Sequence, residues 1–436
     1  MSSGYSGATL NLGIYTITCT GNVSIASDED LLNAGTSTLS MSGSSAQTLG
    51  NPTLSNAFND VTINQNVNLD NDLYVSGGVL TINANYYINT HFVNGVGWNV
   101  HLRGSGNVLV LNGWFRSYNA SGNTGIVFFE ADTDSSILNV PSGTGYGVNN
   151  SYTAAAIRLT PVGNISSTYS LQGNINNIDN FGIHGLDGGT VTFNTNDYNI
   201  AVFSFMTFGT DSDGEADIVC NYGSSTLTAQ QMVRFSAHGS SSPIHNLQSS
   251  TWSVGWWSPF PNRSITFDVG TSNVTVNSEL GESWQEGYPN DCSFYNVTIN
   301  PTATLHSYVP FKLQGRLTVN NGKSLVLHDN ISGNGELYAS AQTGNIDVRF
   351  QAGHNFQFNR MSLTGNDTYG VTLRSSSAGS TWSGIMTGYS EVYHVNVSDS
   401  EMVGSEIDAL DSTNTDGGNN GPAWVFDDNV QGVAVS

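Results

Sequence analysis

The chain has 436 residues, with 11 Lys and Arg against 34 Asp and Glu for a formal charge of −23. So acidic a surface repels phosphate, which excludes a nucleic-acid binder, and it repels an anionic membrane for the same reason. Charged residues make up only 10% of the chain, and Gly, Ser, Thr and Asn carry the rest of the polarity. These residues build poor helix faces, so a chain that still has apolar surface to bury is predicted to be all-β and dense in turns.

Residues 1–34 open on Ser and Gly, without the basic segment and apolar run of a secretory leader, and no stretch is long enough to span a bilayer. The expected product is made in a cytosol and does not insert in a membrane. Alternation with period two then begins: Leu10, Leu12 and Ile14; Leu39 and Met41; Val61 and Ile63; Val67 and Leu69; Leu73 and Val75; Leu80 and Ile82. These are short half-buried strands. Their starts at 61, 67, 73 and 80 are too close for long hairpins, and three strands per turn give a coil period near 19. Residues 140–180 are rich in Asn, Ser and Gly with weak periodicity and read as an inserted loop. Leu227–Arg234 is the one helix-compatible stretch. Residues 238–265 hold Trp252, Trp256, Trp257 and Phe260 among Pro259 and Pro261, which predicts a second loop thrown out from the stack.

The chain also resembles itself. Gly35-Thr36-Ser37-Thr38-Leu39-Ser40-Met41 matches Gly270-Thr271-Ser272-Asn273-Val274-Thr275-Val276. Phe58–Asn64 matches Phe294–Asn300, and Val79–Asn83 matches Arg316–Asn320, all at offsets of 235 to 237. Residues 35–83 and 270–320 are therefore read as a duplicated module. A right-handed parallel β-helix explains both pattern and composition, with inward Val, Ile, Leu and Phe in columns and Asn, Ser, Thr and Gly at the bends. It would run from 35 to 426 in about 18 to 20 coils at the parallel-strand spacing, between an N-terminal segment of residues 1–34 and a tail of 427–436. Tandem β-sandwiches are the competing architecture. The ends of a coil stack expose unpaired backbone and need caps or contacts.

Few constellations carry chemistry. Asp211, Asp213, Glu215 and Asp217 place oxygens at alternate positions around Gly214, as Ca²⁺ loops do, but without the acidic residue that closes an EF-hand; a solvated acidic turn is the competing reading. Carboxylate pairs for glycoside hydrolysis could come from Glu130, Asp132 and Asp134 or from Glu279, Glu282 and Glu286, a signal of low specificity among 34 acids. No metal-binding His motif, nucleophile elbow or phosphate loop occurs. Cys19, Cys220 and Cys292 are too far apart for zinc or redox motifs and read as free thiols. Trp252, Trp256, Trp257 and Phe260 could meet a glycan or a subunit. Trp424 and Phe426 share a face and suit a last strand that caps the stack.

The closing passage, Val395–Ser400 followed by Asp411-Ser412-Thr413-Asn414-Thr415-Asp416-Gly417-Gly418-Asn419-Asn420 and Trp424-Val425-Phe426, resembles the ending of β-helical surface proteins of tailed bacteriophages. Pro422 and Ala423 extend the usual spacing before Trp424. The resemblance implies a structural virion protein, assembled in a host cytoplasm and exposed as a capsid decoration, head fibre or tail appendage. It implies capsid or tail proteins as partners, a homo-oligomer, with a trimer favoured, contact with host surface glycans, and no cofactor beyond the Ca²⁺ considered above. The competing expectations are a tailspike-type polysaccharide depolymerase and a bacterial surface adhesin without turnover.

Overall fold

The structure, a computed structural model, describes residues 9–24, 31–50, 57–90, 98–116, 125–134, 136–141, 156–185, 189–210, 217–237, 241–259, 265–281 and 292–426. Among them there is no helix, and parallel strands stack as a β-solenoid of about 13 turns, a parallel β-helix. The turns are fewer than the expected 18 to 20 because coil length varies. Val61 and Leu80 are one coil apart at 19 residues, as the early spacing suggests, whereas Val100 and Val127 are separated by 27 and Val127 and Ile157 by 30.

The chain forms two compact units, one of residues 1–230 and 236–244, the other of 231–235 and 245–436. In the first, Leu39, Val61, Leu80 and Leu109 fall in register on successive coils. Val67, Ile88 and Phe115 form a second column, and Val75, Leu102, Phe129, Leu159, Ile183 and Phe208 a third. In the second unit, Val274, Val297, Leu317, Leu337 and Met361 are stacked in the same way, as are Leu305, Leu325, Val348, Leu373 and Val397. Successive residues of a strand point to opposite faces, so one apolar side chain in two suffices to fill each column. A buried Val, Leu or Phe contributes about 1.5–3 kcal/mol, and that repeated gain holds the coils together.

The aligned blocks do equivalent work in their own units. Gly35 (φ 57°) and Gly270 (φ 49°) both adopt left-handed backbone, and a Cβ on either would collide with the carbonyl oxygen of the coil before, Gly13 and Gln248 respectively. Each is followed two residues on by a buried Ser, Ser37 or Ser272, whose N–H donates to the carbonyl of the residue before the glycine at 3.0 Å. Asparagine explains its own abundance. Asn83 Nδ2 donates to Asn64 Oδ1 at 2.6 Å, and at the aligned positions Asn320 donates to Asn300 at 3.1 Å. A carboxamide carries a donor and an acceptor, so it repeats from coil to coil as the backbone amide does.

Three sequence expectations fail. Residues 156–178, inside the expected 140–180 loop, form the strands Ala156–Pro161, Ser167–Leu171 and Ile175–Ile178, because Leu159, Tyr169, Leu171, Ile175 and Ile178 are enough to fill the interior. Leu227–Arg234 belongs to the strand Thr226–Phe235 and is not a helix; Leu227, Ala229, Val233 and Phe235 alternate inward. Thr251–Pro259, inside the expected 238–265 loop, is also a strand, and Pro259 is its last residue, where a missing N–H disturbs the ladder least.

Candidate functional site

The first unit carries its densest chemistry on the outward face of four adjacent strands, Leu73–Ser76, Val100–Arg103, Ile126–Ala131 and Ala156–Pro161. Register aligns Tyr74, His101, Phe128 and Arg158 in one outward row and Ser76, Arg103, Glu130 and Thr160 in the next. Parallel strands lie about 4.8 Å apart, a spacing within the range at which ring centroids stack, so flat side chains in register are brought face to face. Tyr74 and His101 do so with centroids 4.3 Å apart and 8° between planes, and His101 and Phe128 at 4.6 Å and 3°. The Arg158 guanidinium lies 5.6 Å over the Phe128 ring.

The imidazole edge meets charge. His101 Nδ1 lies 2.8 Å from Glu130 Oε1, while Arg103 Nε and Nη2 donate to Glu130 Oε2 at 3.0 and 2.9 Å. Asp72 Oδ2 stands 3.7 Å from His101 Nε2, and its Oδ1 accepts the Asn99 backbone N–H at 2.7 Å. Burial on its own would lower the His101 pKa, but the hydrogen bond to Glu130 and the negative charges of Asp72 and Glu130 raise it above the ordinary value. Burial likewise works to raise that of Glu130, and the hydrogen bonds and positive charges of His101 and Arg103 overcome it, so this carboxyl titrates below its usual range. Glu130 is thus held as an anion within a fixed lattice, which is the opposite of what a proton-donating acid needs.

An open cleft of about 420 Å³ adjoins this lattice, lined by Ala34, Gly35, Ala57, Asn59, Ser76, Arg103 and Asp132. Glu130 orients the Arg103 side chain at its edge, and Asp132 lies two residues further along the chain. Guanidinium, carboxylate, carboxamide and hydroxyl groups together offer donors and acceptors around a small apolar floor. No family model matches this chain, and no curated protein or solved structure matches it either.

The residues singled out from sequence are dispersed. Trp252 and Trp257 are 0% exposed, packed edge to face at 5.4 Å with Phe235 between them and neighbouring rings, so they are core and present no stacking surface. One extra residue in the facing strand, between the pairs Val254–Val276 and Trp256–Glu279, is what lets Trp257 point inward. Trp256 faces outward and donates from Nε1 to Ser278 Oγ at 2.8 Å. Phe260 lies outside the described residues, as do Asp211, Asp213 and Glu215 of the Ca²⁺ loop and Glu282 and Glu286 of the second acid group. Asp217 is described; its Oδ1 accepts the Ser242 backbone N–H at 3.0 Å. Asp134 in the same way accepts from Ser166 at 2.9 Å. The tail 427–436 is not described, nor are residues 1–8 and 25–30 of the N-terminal segment.

The C-terminal signature does come together. Asn414 Oδ1 accepts the Val395 N–H at 3.0 Å and its Nδ2 donates to the Val392 carbonyl at 2.8 Å. Asn420 repeats the device on the next strand, accepting from Ser400 N at 3.2 Å and donating to the Val397 carbonyl at 2.8 Å. Trp424 pairs in register with Ile407, donates from Nε1 to Ser400 Oγ at 2.8 Å, and stacks on Phe426 at 6.1 Å. These side chains give strand backbone what a further coil would have given it.

Sequence reasoning missed Tyr74, His101 and Arg103. The signal was a Tyr-x-Ser, His-x-Arg, Phe-x-Glu series at 74, 101 and 128, visible only at a coil period of 27 and not 19.

Proposed function

We propose that this chain is a structural β-solenoid protein exposed on the particle of a tailed bacteriophage, as a capsid decoration, head fibre or tail appendage, assembled in the host cytoplasm and acting without catalysis. The observation that carries this reading is the cap. Asn414, Asn420 and Trp424 of the phage-like C-terminal passage spend their hydrogen bonds on the last coils, which is the task of a protein that must stay a discrete body among many copies. The ionised, doubly hydrogen-bonded state of Glu130 also favours a scaffold over a glycanase, since hydrolysis needs one carboxyl kept protonated.

A second reading concerns contact with host glycans, and the cleft beside Arg103 favours it over the tryptophans. Vicinal hydroxyls of a neutral saccharide both donate and accept, as do Asn59, Ser76, Arg103 and Asp132 taken together.

Cryo-electron microscopy of particles from the producing culture tests the first reading. Repeated, stoichiometric density that fits this chain supports it, and recovery of the protein only in the free soluble fraction overturns it. Saturation-transfer NMR with neutral mono- and disaccharides tests the second. Transfer lost in Asp132→Asn supports the cleft, and absence of transfer across the panel removes it. Release of reducing ends from host polysaccharide by the purified chain would move the assignment to a depolymerase.

A further inference from the structure

Within the second unit, the strands Thr304–Ser307 and Ser324–Leu327 run parallel with His306 beside Val326. Just past each strand the chain turns the same corner on successive coils. Tyr308 N donates to the Leu280 carbonyl at 2.8 Å, His328 N to that of Ser307 at 2.9 Å, and Gln351 N to that of Leu327 at 2.8 Å. The corner brings His306 Nδ1 to 2.9 Å from His328 Nε2, with the rings 5.2 Å apart and 13° from parallel. Tyr308 stacks on one face of His328 at 4.5 Å and 8°, and its ring lies 5.8 Å from that of His306.

We propose that His306 and His328 form a proton-operated latch between these two coils, closed at neutral pH and released by acid. Two ring nitrogens 2.9 Å apart can share only one hydrogen, with one nitrogen donating and the other offering its lone pair. With both rings neutral the bond forms. One added proton leaves it intact, as an imidazolium donating to an imidazole. A second proton places an N–H on both facing nitrogens, which removes the acceptor and sets two cations edge to edge.

The charged and titratable surroundings do not relieve that repulsion evenly. Glu279 pairs in register with His306 on the coil before, and Arg349 pairs with Val326 on the coil after. Asp329 is held by His354, with its Oδ1 3.4 Å from His354 Nδ1, and the Tyr308 ring stacks on His328. Burial lowers the His328 pKa, the positive charges of His306 and His354 lower it further, and a hydrogen bond accepted from the ring by Gln351 opposes them. A histidine whose folded pKa lies below its unfolded value of about 6.5 stabilises the fold above that pH, and the stabilisation is lost as pH falls through the folded pKa. The latch therefore loosens on acidification, by a factor of ten in the closed-to-open ratio for each unit of depression.

The test uses the full chain, with histidine ring NMR titration and amide exchange read at pH 7.5 and 5.0. The pair is expected to titrate in two steps split by more than about one unit. Protection factors over 304–307 and 324–327 are expected to fall about tenfold or more relative to Val371–Ser375. His328→Gln, which keeps a polar partner for His306 without a proton to gain, is expected to abolish that fall. Two rings following one single-site curve with unchanged relative protection would overturn the latch, as would an undiminished fall in His328→Gln. Should His328→Gln not fold, the titration of the unmodified chain decides alone.

Discussion

Replacing Glu130 by Gln isolates the lattice on the first unit. The change keeps the side-chain shape and removes the charge to which Arg103 and His101 are both bonded, at 2.9 and 2.8 Å. The Glu130 and Arg103 side chains are 9% and 15% exposed, so solvent cannot replace the lost partner fully. Breaking such a buried pair on one side costs about 3–5 kcal/mol, and the residual exposure places this case near 3. That is roughly a hundredfold in the local opening equilibrium.

The penalty should depend on pH with a definite sign. His101, whose folded pKa is raised, contributes stability that is complete below about 6.5 and lost as pH rises through the folded value. Glu130, whose pKa is lowered, contributes stability complete above about 4.5 and lost as pH falls through its folded value. Glu130→Gln should therefore hurt most between about pH 4.5 and 6.5, and less on either side. Amide exchange of peptides covering 100–103 and 126–131, in wild type and variant at pH 5.5 and 9, reads this directly. Equal protection in the two proteins at pH 5.5, or a penalty that does not change with pH, would refute the reasoning.

Other consequences are equally concrete. Asn420→Ala strips two backbone groups and Asp416 of a partner, and should cost about 1–2 kcal/mol and raise self-association through the uncovered strand edge, measured by light scattering after size exclusion. Trp257→Ala empties a fully buried site and should cost about 3–5 kcal/mol by denaturant titration, whereas Trp256→Ala should fall within about 1 kcal/mol of wild type. Burial pushes the Cys220 and Cys292 thiols up to about 12, while Cys19 stays partly exposed. A thiol reagent at pH 8 should thus modify one of the three cysteines in the native protein and all three in guanidinium.

By itself the sequence determined the class of the fold. Alternation of period two at residues 61–82 and a scarcity of helix formers leave an all-β chain, and strand starts too close for hairpins leave a coil stack. The Gly-Thr-Ser blocks at 35 and 270 could be matched by eye because a left-handed turn against a neighbouring carbonyl admits little but glycine. The two-residue spacing of Trp424 and Phe426 puts both on one face, and their rings stack. Only the tertiary structure decided which coil each strand meets, because coil length is set by corner residues that have no periodicity of their own. Hence Trp252 and Trp257, loop-like beside Pro259, are core, and the lattice of Asp72, His101, Arg103 and Glu130 arises from residues 27 to 29 apart that only cross-coil register brings within 2.8 to 3.7 Å. The His306–His328 pair is of the same kind: hydrophobic pattern sets which face a residue takes, while the pitch of the coil sets its neighbour.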